Sequence, residues 1–227
     1  PPEPPATPAG LDEFTLTPTA DGYTRLQAVR ADLERYQPRV VREAGRRGTW
    51  RTAGEIGAEL GALAVINGGY FDPEDRPLGL LVSAGEVLVP LRSVSWPVFE
   101  WRGGRARIVA RTDFGGTRGV DEALQCGPWL VRGGAAVASL KESAPEPRAA
   151  LGLDAEDRLI LAATTRGGLR LAEFAKVLAD PIDAGGLGCQ RAMNLDGGSS
   201  TQFWTASGTN YAAALGVPVH LALVPRG

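Results

Sequence analysis

Two polar, glycine-rich segments follow apolar runs in this chain, and both carry groups that can handle a sugar or a phosphate. The first is Ala64-Val65-Ile66-Asn67-Gly68-Gly69-Tyr70-Phe71-Asp72, in which a buried-type strand runs straight into Asn-Gly-Gly. Glycines there let backbone approach a ligand closely, and successive N–H groups can cradle an anion. A type I′ hairpin turn at Asn67-Gly68 is the plainer account of the dipeptide. Against it, Tyr70-Phe71-Asp72-Pro73 does not mirror the incoming strand as a hairpin partner should. The second segment is Ala192-Met193-Asn194-Leu195-Asp196-Gly197-Gly198-Ser199-Ser200-Thr201. On an extended strand Asn194 and Asp196 would project to one face. Gly197 and Gly198 then offer backbone N–H groups, and Ser199, Ser200 and Thr201 offer hydroxyls. Such a loop can bind sugar hydroxyls or a phosphate; a solvated turn is the alternative. A third segment, Glu146-Pro147-Arg148-Ala149-Ala150-Leu151, puts Arg148 at the start of a strand. An arginine at a strand mouth is ordinarily solvated. It matters to chemistry only if both glycine loops lie at the same sheet edge.

Composition removes several other chemistries. His220 is the single histidine, which nearly excludes His-based metal sites and Ser-His-Asp hydrolysis. Cys126 and Cys189 are too few for a four-ligand zinc site. With 24 basic and 26 acidic residues the net charge is −2, so no basic excess is left to neutralise the phosphates of a nucleic acid. No run approaches 18 apolar residues, so no membrane-spanning helix is expected. A length of 227 residues with 44% hydrophobic content suits one sizeable core.

The elements that must position these groups are mostly strands. Residues 23–31 and 38–43 read as strands, and Leu63 to Ile66 as a buried one. Thr52-Ala53-Gly54-Glu55 is a capping-box pattern, which predicts a short helix over 53–60. Residues 79–90, 96–110 and 128–138 read as hairpins, the last two turning at Gly103-Gly104 and Gly133-Gly134. Ala149 to Leu153 and Leu159 to Ala163 flank an acidic turn. Leu171, Phe174, Ala175 and Leu178 predict an amphipathic helix over 171–179, and Val217 to Val224 a final strand. Many hairpins with two helices give an α+β class, a mixed and largely antiparallel sheet with helices packed on it. Residues 1–22 read as a Pro-rich spacer, five of the first ten residues being proline, and 23–227 as the folded domain. Such a start suits the stub left once a signal or anchor is removed, which would place the protein in the extracellular space, periplasm or cell surface.

The order of NGGYFD (67–72), GPWLVRGG (127–134), PRAALGLD (147–154) and NLDGGSS (194–200) resembles the phosphodiester glycosidase family, over roughly residues 23–225. The resemblance carries over at Asn67, Gly68, Gly69, Tyr70, Phe71, Gly127, Pro128, Arg148, Gly152, Asn194, Asp196, Gly197, Gly198 and Ser199. Members often have Asp-Gly after the strand that follows the Arg motif. Here Thr164-Thr165-Arg166-Gly167 stands there without a carboxylate. Bacterial members are often labelled exopolysaccharide-biosynthesis-like.

The reaction implied by that resemblance is hydrolysis of a sugar-1-phosphodiester, on a cell-surface or extracellular glycan, with no cofactor and no metal. A phosphomonoester is a good leaving group that needs its charge held more than it needs a proton. Arg148 is then the expected clamp, bidentate on phosphate. Gly68-Gly69 or Gly197-Gly198 would assist as an anion nest. Asp196 is the candidate nucleophile or general base, and Asp72 a second carboxylate. Asn67, Tyr70, Asn194, Ser199 and Ser200 complete the expected sugar-binding set. The rival class is a secreted glycan- or cell-wall-binding module without turnover, for which Trp96, Trp101, Trp129 and Trp204 would serve as aromatic platforms. A metal-dependent phosphodiesterase is disfavoured for want of histidines and clustered carboxylates. In an oxidising compartment a Cys126–Cys189 disulfide would tie the Gly-Pro-Trp segment to the Asn-Leu-Asp loop; two separate buried thiols are the alternative.

Overall fold

The structure, a computed structural model, describes residues 8–212 and 214–227. In chain order its first elements are β1 (Leu11–Leu16), β2 (Arg25–Ala31), β3 (Tyr36–Arg42), helix α1 (Ala53–Leu60), β4 (Ala64–Asn67), β5 (Leu81–Ser83) and β6 (Glu86–Val89). Next come β7 (Val98–Arg102), β8 (Arg105–Val109), β9 (Glu122–Gln125), β10 (Trp129–Arg132), β11 (Ala135–Ala136), β12 (Ala149–Leu153) and β13 (Leu159–Arg166). Helix α2 (Leu171–Ala179) precedes β14 (Arg191–Asn194), β15 (Gln202–Thr205), β16 (Asn210–Ala212) and β17 (Val219–Pro225). They build three antiparallel sheets, in the orders β1-β2-β13-β12-β14-β10-β11, β16-β15-β4-β17-β3 and β6-β5-β9-β7-β8. The α+β class expected from the sequence is the observed one.

The central strands of the first sheet are apolar on both faces because both faces are covered. Ala149, Leu151 and Leu153 of β12 enter a core shared by all three sheets, together with Leu159, Leu161 and Ala163 of β13. The alternate residues Ala150, Ile160 and Ala162 pack under α2, against Phe174, Ala175 and Leu178. Both helices form where local signals place them. Thr52 and Glu55 close the α1 capping box, and Gly61 ends the helix in the left-handed conformation.

Among the described residues the first strand, β1, lies inside the stretch read as spacer. β1 pairs with β2 from Leu11↔Ala31 to Leu16↔Leu26. Only Leu11 of this strand is buried. An edge strand with a polar face gives no core-like apolar run, which is why the sequence reading began the domain at Tyr23. The proline-rich residues 1–7 lie outside the described residues.

Helix α1 lies so close to β15 that Gly57 has no room for a side chain. A Cβ there would stand 2.3 Å from Trp204 Cε3 and 2.4 Å from Cζ3. Gly57→Ala gains up to about 1 kcal/mol of helix propensity. It loses about 1–3 kcal/mol to overpacking a ring held between helix and sheet. The expected result is a lower melting temperature, read by thermal denaturation; an unchanged or higher value would show that Trp204 can move aside.

Candidate functional site

Two apolar strands from different sheets, β4 and β14, end at Asn67 and Asn194, and the loops that follow them are bonded to each other. The Asp196 N–H donates to the Gly68 carbonyl at 3.0 Å. Asn67 Nδ2 donates to the Asp196 carbonyl at 2.7 Å, and Asn67 Oδ1 accepts from the Gln202 N–H at 3.0 Å. Asn67 is wholly buried. Its amide therefore serves to fasten the second glycine loop to the end of β4. That is a positioning role, in place of the sugar contact expected for it.

β12 brings Arg148 to the same place. Ala150 pairs with Asn194 in the antiparallel register, and the Leu195 N–H donates to the Ala149 carbonyl. Continuing that register sets Arg148 beside Asp196. A Cβ on Gly197 would lie 4.0 Å from Arg148 Cδ and Nη1. The side chain is held mostly by the protein itself. Nε donates to the Leu169 carbonyl at 2.9 Å, and Nη2 to the Ala144 carbonyl at 2.9 Å and Ser143 Oγ at 3.2 Å. The Arg148 N–H donates to Thr164 Oγ1, so the threonine at the Asp-lacking position caps this arginine's backbone. Only Nη1 is left for a ligand, with Glu146 3.8 Å away. The expected bidentate fork is not free on this side chain, since Nε and Nη2 are committed to the protein.

The third sheet contributes the opposite wall. β9 runs into Cys126-Gly127, and the Gly127 carbonyl accepts from Tyr70 Oη at 2.6 Å. Asn194 Nδ2 donates to Tyr70 Oη at 2.9 Å. Asn194 Oδ1 is buried and has no donor among the described residues. Trp96 leans on Tyr70, ring centroids 5.2 Å apart, and Arg92 lies over the Trp96 ring. Gly127 permits this, since a Cβ would stand 2.7 Å from Trp96 Cδ1.

Electrostatically, the site holds one desolvated carboxylate. Burial raises Asp196 above the usual aspartate value, and hydrogen bonds from Ser200 and the Gly197 N–H only partly oppose it. Burial also raises Tyr70, which keeps its proton at neutral pH.

A sequence model described as phosphodiester glycosidase matches residues 60–224. The chain belongs to the phosphodiester glycosidase family. No curated protein matches it by sequence. Among solved structures, it is similar to the catalytic domain of zebrafish N-acetylglucosamine-1-phosphodiester alpha-N-acetylglucosaminidase, auto-inhibited by its pro-peptide. That match has TM-score 0.72 and 18% identity, covering 98% of this chain and 86% of that one. A hypothetical protein from Synechocystis matches with TM-score 0.63 and 15% identity, covering 96% and 62% of the two chains. A protein from Burkholderia pseudomallei described as exported matches with TM-score 0.63 and 14% identity, covering 89% and 74%. At these identities the likeness is one of fold.

Several expectations for this phosphodiester glycosidase-family chain need correction. Asp72 does not stand as a second reactive carboxylate. Its oxygens accept from the Glu74 and Arg76 N–H groups and from Arg76 Nε, closing the 72–76 turn. Those bonds from Arg76 hold it below the usual aspartate value. The anion nest is mostly spent. The Gly68 N–H donates to the Val219 carbonyl, the Gly198 N–H to Pro147, and the Gly197 N–H to Asp196's own carboxylate. The disulfide is absent, for both cysteines are free and buried. Cys126 belongs to the core between the sheets and Cys189 to the one under α2, so the first sheet separates them. Burial pushes the Cys126 thiol up to about 12, which leaves it inert. Ser200 lies by Asp196, whereas Ser199 is exposed. Of the tryptophans, Trp101 is buried and Trp204 packs on α1, leaving Trp96 and Trp129 near the surface.

Nothing in the sequence assigns a role to the Gly127 carbonyl, Ser143 or Thr164. Backbone carbonyls carry no residue signature, and the two hydroxyls become visible only through the side chain they hold. His220 is the single histidine of the chain. The imidazole is fully buried in the second sheet, its backbone paired with Asn67, and burial lowers it to about 4. It is neutral at physiological pH and sits beside Asn67 across the β4–β17 ladder.

Proposed function

We propose that this chain hydrolyses the glycosidic bond of a sugar-1-phosphodiester, releasing the sugar and a phosphomonoester. The observation that carries the reading is the meeting of Asp196, Arg148 and the Tyr70–Asn194 pair at one seam between the sheets. The reacting bond is that between the anomeric carbon and the phosphate oxygen. As it breaks, negative charge gathers on the leaving phosphate, and Arg148 Nη1 offsets it. Asp196 approaches the anomeric carbon directly or through a water, and must be ionised to do so. Asn194 Oδ1 is buried and the Ser200 hydroxyl bonds to Asp196, so both hold the seam in shape, and the Ser200 oxygen keeps a lone pair that can accept from a sugar hydroxyl. Tyr70 and Trp96 form the apolar edge on which a sugar ring can rest. Among the described residues no helix is long and apolar enough to cross a membrane. A protein exported to a glycan-bearing surface suits this reading, supported by the exported relative in Burkholderia.

The test is a hydrolysis screen on α- and β-linked sugar-1-phosphodiesters, followed by a pH profile on the best substrate. Because burial raises Asp196, the acidic limb of kcat/KM is expected above the ordinary aspartate value, activity falling as pH drops through it. Asp72, held low by Arg76, would place the limb below that value. Glycan binding without any turnover would favour the binding-module reading.

A further inference from the structure

Gly127 and Pro128 face two ways. The Gly127 carbonyl serves Tyr70 and Asn194, while Pro128 and Trp129 line a cleft of about 540 Å³ beyond them. This cleft runs into a second, of about 400 Å³, sharing Ala110, Trp129 and Arg132 with it. The second is lined by Arg107, Arg132 and Arg191, with Asp113 as its carboxylate. Arg107 has a partner in Glu100, at 3.3 Å. Arg132 and Arg191 sit directly opposite each other on β10 and β14, and both are exposed. Neither forms an ion pair among the described residues. Arg132 instead lies over the Trp129 ring, 5.1 Å from its centroid. Farther along, a third cleft shares Arg107 and Arg191 but mixes its charges, with Glu34 and Asp157 beside Arg105 and Arg158.

Like charges directly across an antiparallel pair are destabilising. The chain as a whole has a net charge of −2, so these arginines are not the local share of a general basic excess. A like-charged, unpaired couple in a groove that opens beside the site is an arrangement that an anionic ligand neutralises. Arg132 lies over an aromatic ring with no acceptor on its guanidinium among the described residues, and a free guanidinium suits phosphate or carboxylate. We propose that this groove binds the anionic chain of a polymeric glycan, with phosphate or carboxylate in its repeats, and leads it to Asp196. The delivery step rests on the glycosidase reading; the binding step does not.

Binding of labelled poly(glycerol phosphate), oligogalacturonate, neutral dextran and a single-stranded oligonucleotide would be compared by fluorescence polarisation at low and raised salt. The intact protein is expected to bind at least one glycan-type polyanion, less tightly in salt, and not dextran. The double variant Arg132→Gln, Arg191→Gln is expected to bind it at least tenfold more weakly. Its melting temperature should be unchanged or higher, since a repulsive pair is gone. Its turnover of a small, soluble sugar-1-phosphodiester should equal that of the parent. Equal polyanion binding by parent and variant, or none by the parent, overturns the proposal. Tighter binding of the oligonucleotide than of either other polyanion overturns the glycan assignment. Absence of small-diester turnover with arginine-dependent polyanion binding intact removes the glycosidase reading and leaves the groove standing.

Discussion

Asp196→Asn is expected to cut turnover of a sugar-1-phosphodiester by at least about 10³-fold, the scale of removing a reacting carboxylate. The substitution keeps the shape of the side chain. Its remaining oxygen can still accept from the Gly197 N–H, as Oδ1 does at 3.0 Å. What it removes is the charge that, on the glycosidase reading, approaches the anomeric carbon. Substrate affinity should therefore hold while kcat collapses. The fold should not suffer. Burial already raises Asp196, meaning that the folded state resists its charge. Removing that charge should change stability by no more than about 1 kcal/mol, in either direction. The loop is also fastened by backbone bonds that the substitution leaves alone, from Asn67 Nδ2 and to Gly68. Steady-state kinetics with thermal denaturation checks both halves. A rate equal to the parent's would take Asp196 out of the chemistry.

Arg148→Lys has a two-sided expectation, because the side chain is tied into the protein and, on the glycosidase reading, also meets the leaving phosphate. Lysine keeps a positive charge but has one nitrogen. It cannot reach the Leu169 and Ala144 carbonyls together with a phosphate. Leaving such buried carbonyls without a donor costs about 2–3 kcal/mol in all, which at about 2–4 °C per kcal/mol lowers the melting temperature by roughly 4–12 °C. The loss of Nη1 at the leaving phosphate should lower kcat/KM by about 10²-fold or more. Thr164→Val separates the two effects. It removes the acceptor for the Arg148 N–H and leaves the guanidinium in place. It should lower the melting temperature with little change in kcat/KM. If activity instead tracks melting temperature across both variants, Arg148 is a structural residue and the phosphate is held elsewhere.

Much of the local structure was readable in the sequence because its causes are local. The capping box at Thr52 and Glu55 and the apolar spacing from Leu171 to Leu178 set both helices within a few neighbouring residues. The Gly103-Gly104 and Gly133-Gly134 turns likewise set hairpins whose partners are adjacent in the chain. The family and the segments that carry it were legible too, because Asn-Gly-Gly and Asn-Leu-Asp-Gly-Gly-Ser stand out after apolar runs. What each group does was decided only by register between strands far apart in sequence. The pairing of β12 with β14 brings Arg148 to Asp196, and a bond across two sheets makes Asn67 a fastener. The same packing spends the Gly68 and Gly198 amides on Val219 and Pro147 and parts Cys126 from Cys189, whereas the bonds of Asp72 to Arg76 and of the Gly197 N–H to Asp196 are local. A backbone amide or a guanidinium nitrogen is free for a ligand only if no nearer acceptor takes it. Which acceptor is nearer depends on distances that no spacing along one chain contains.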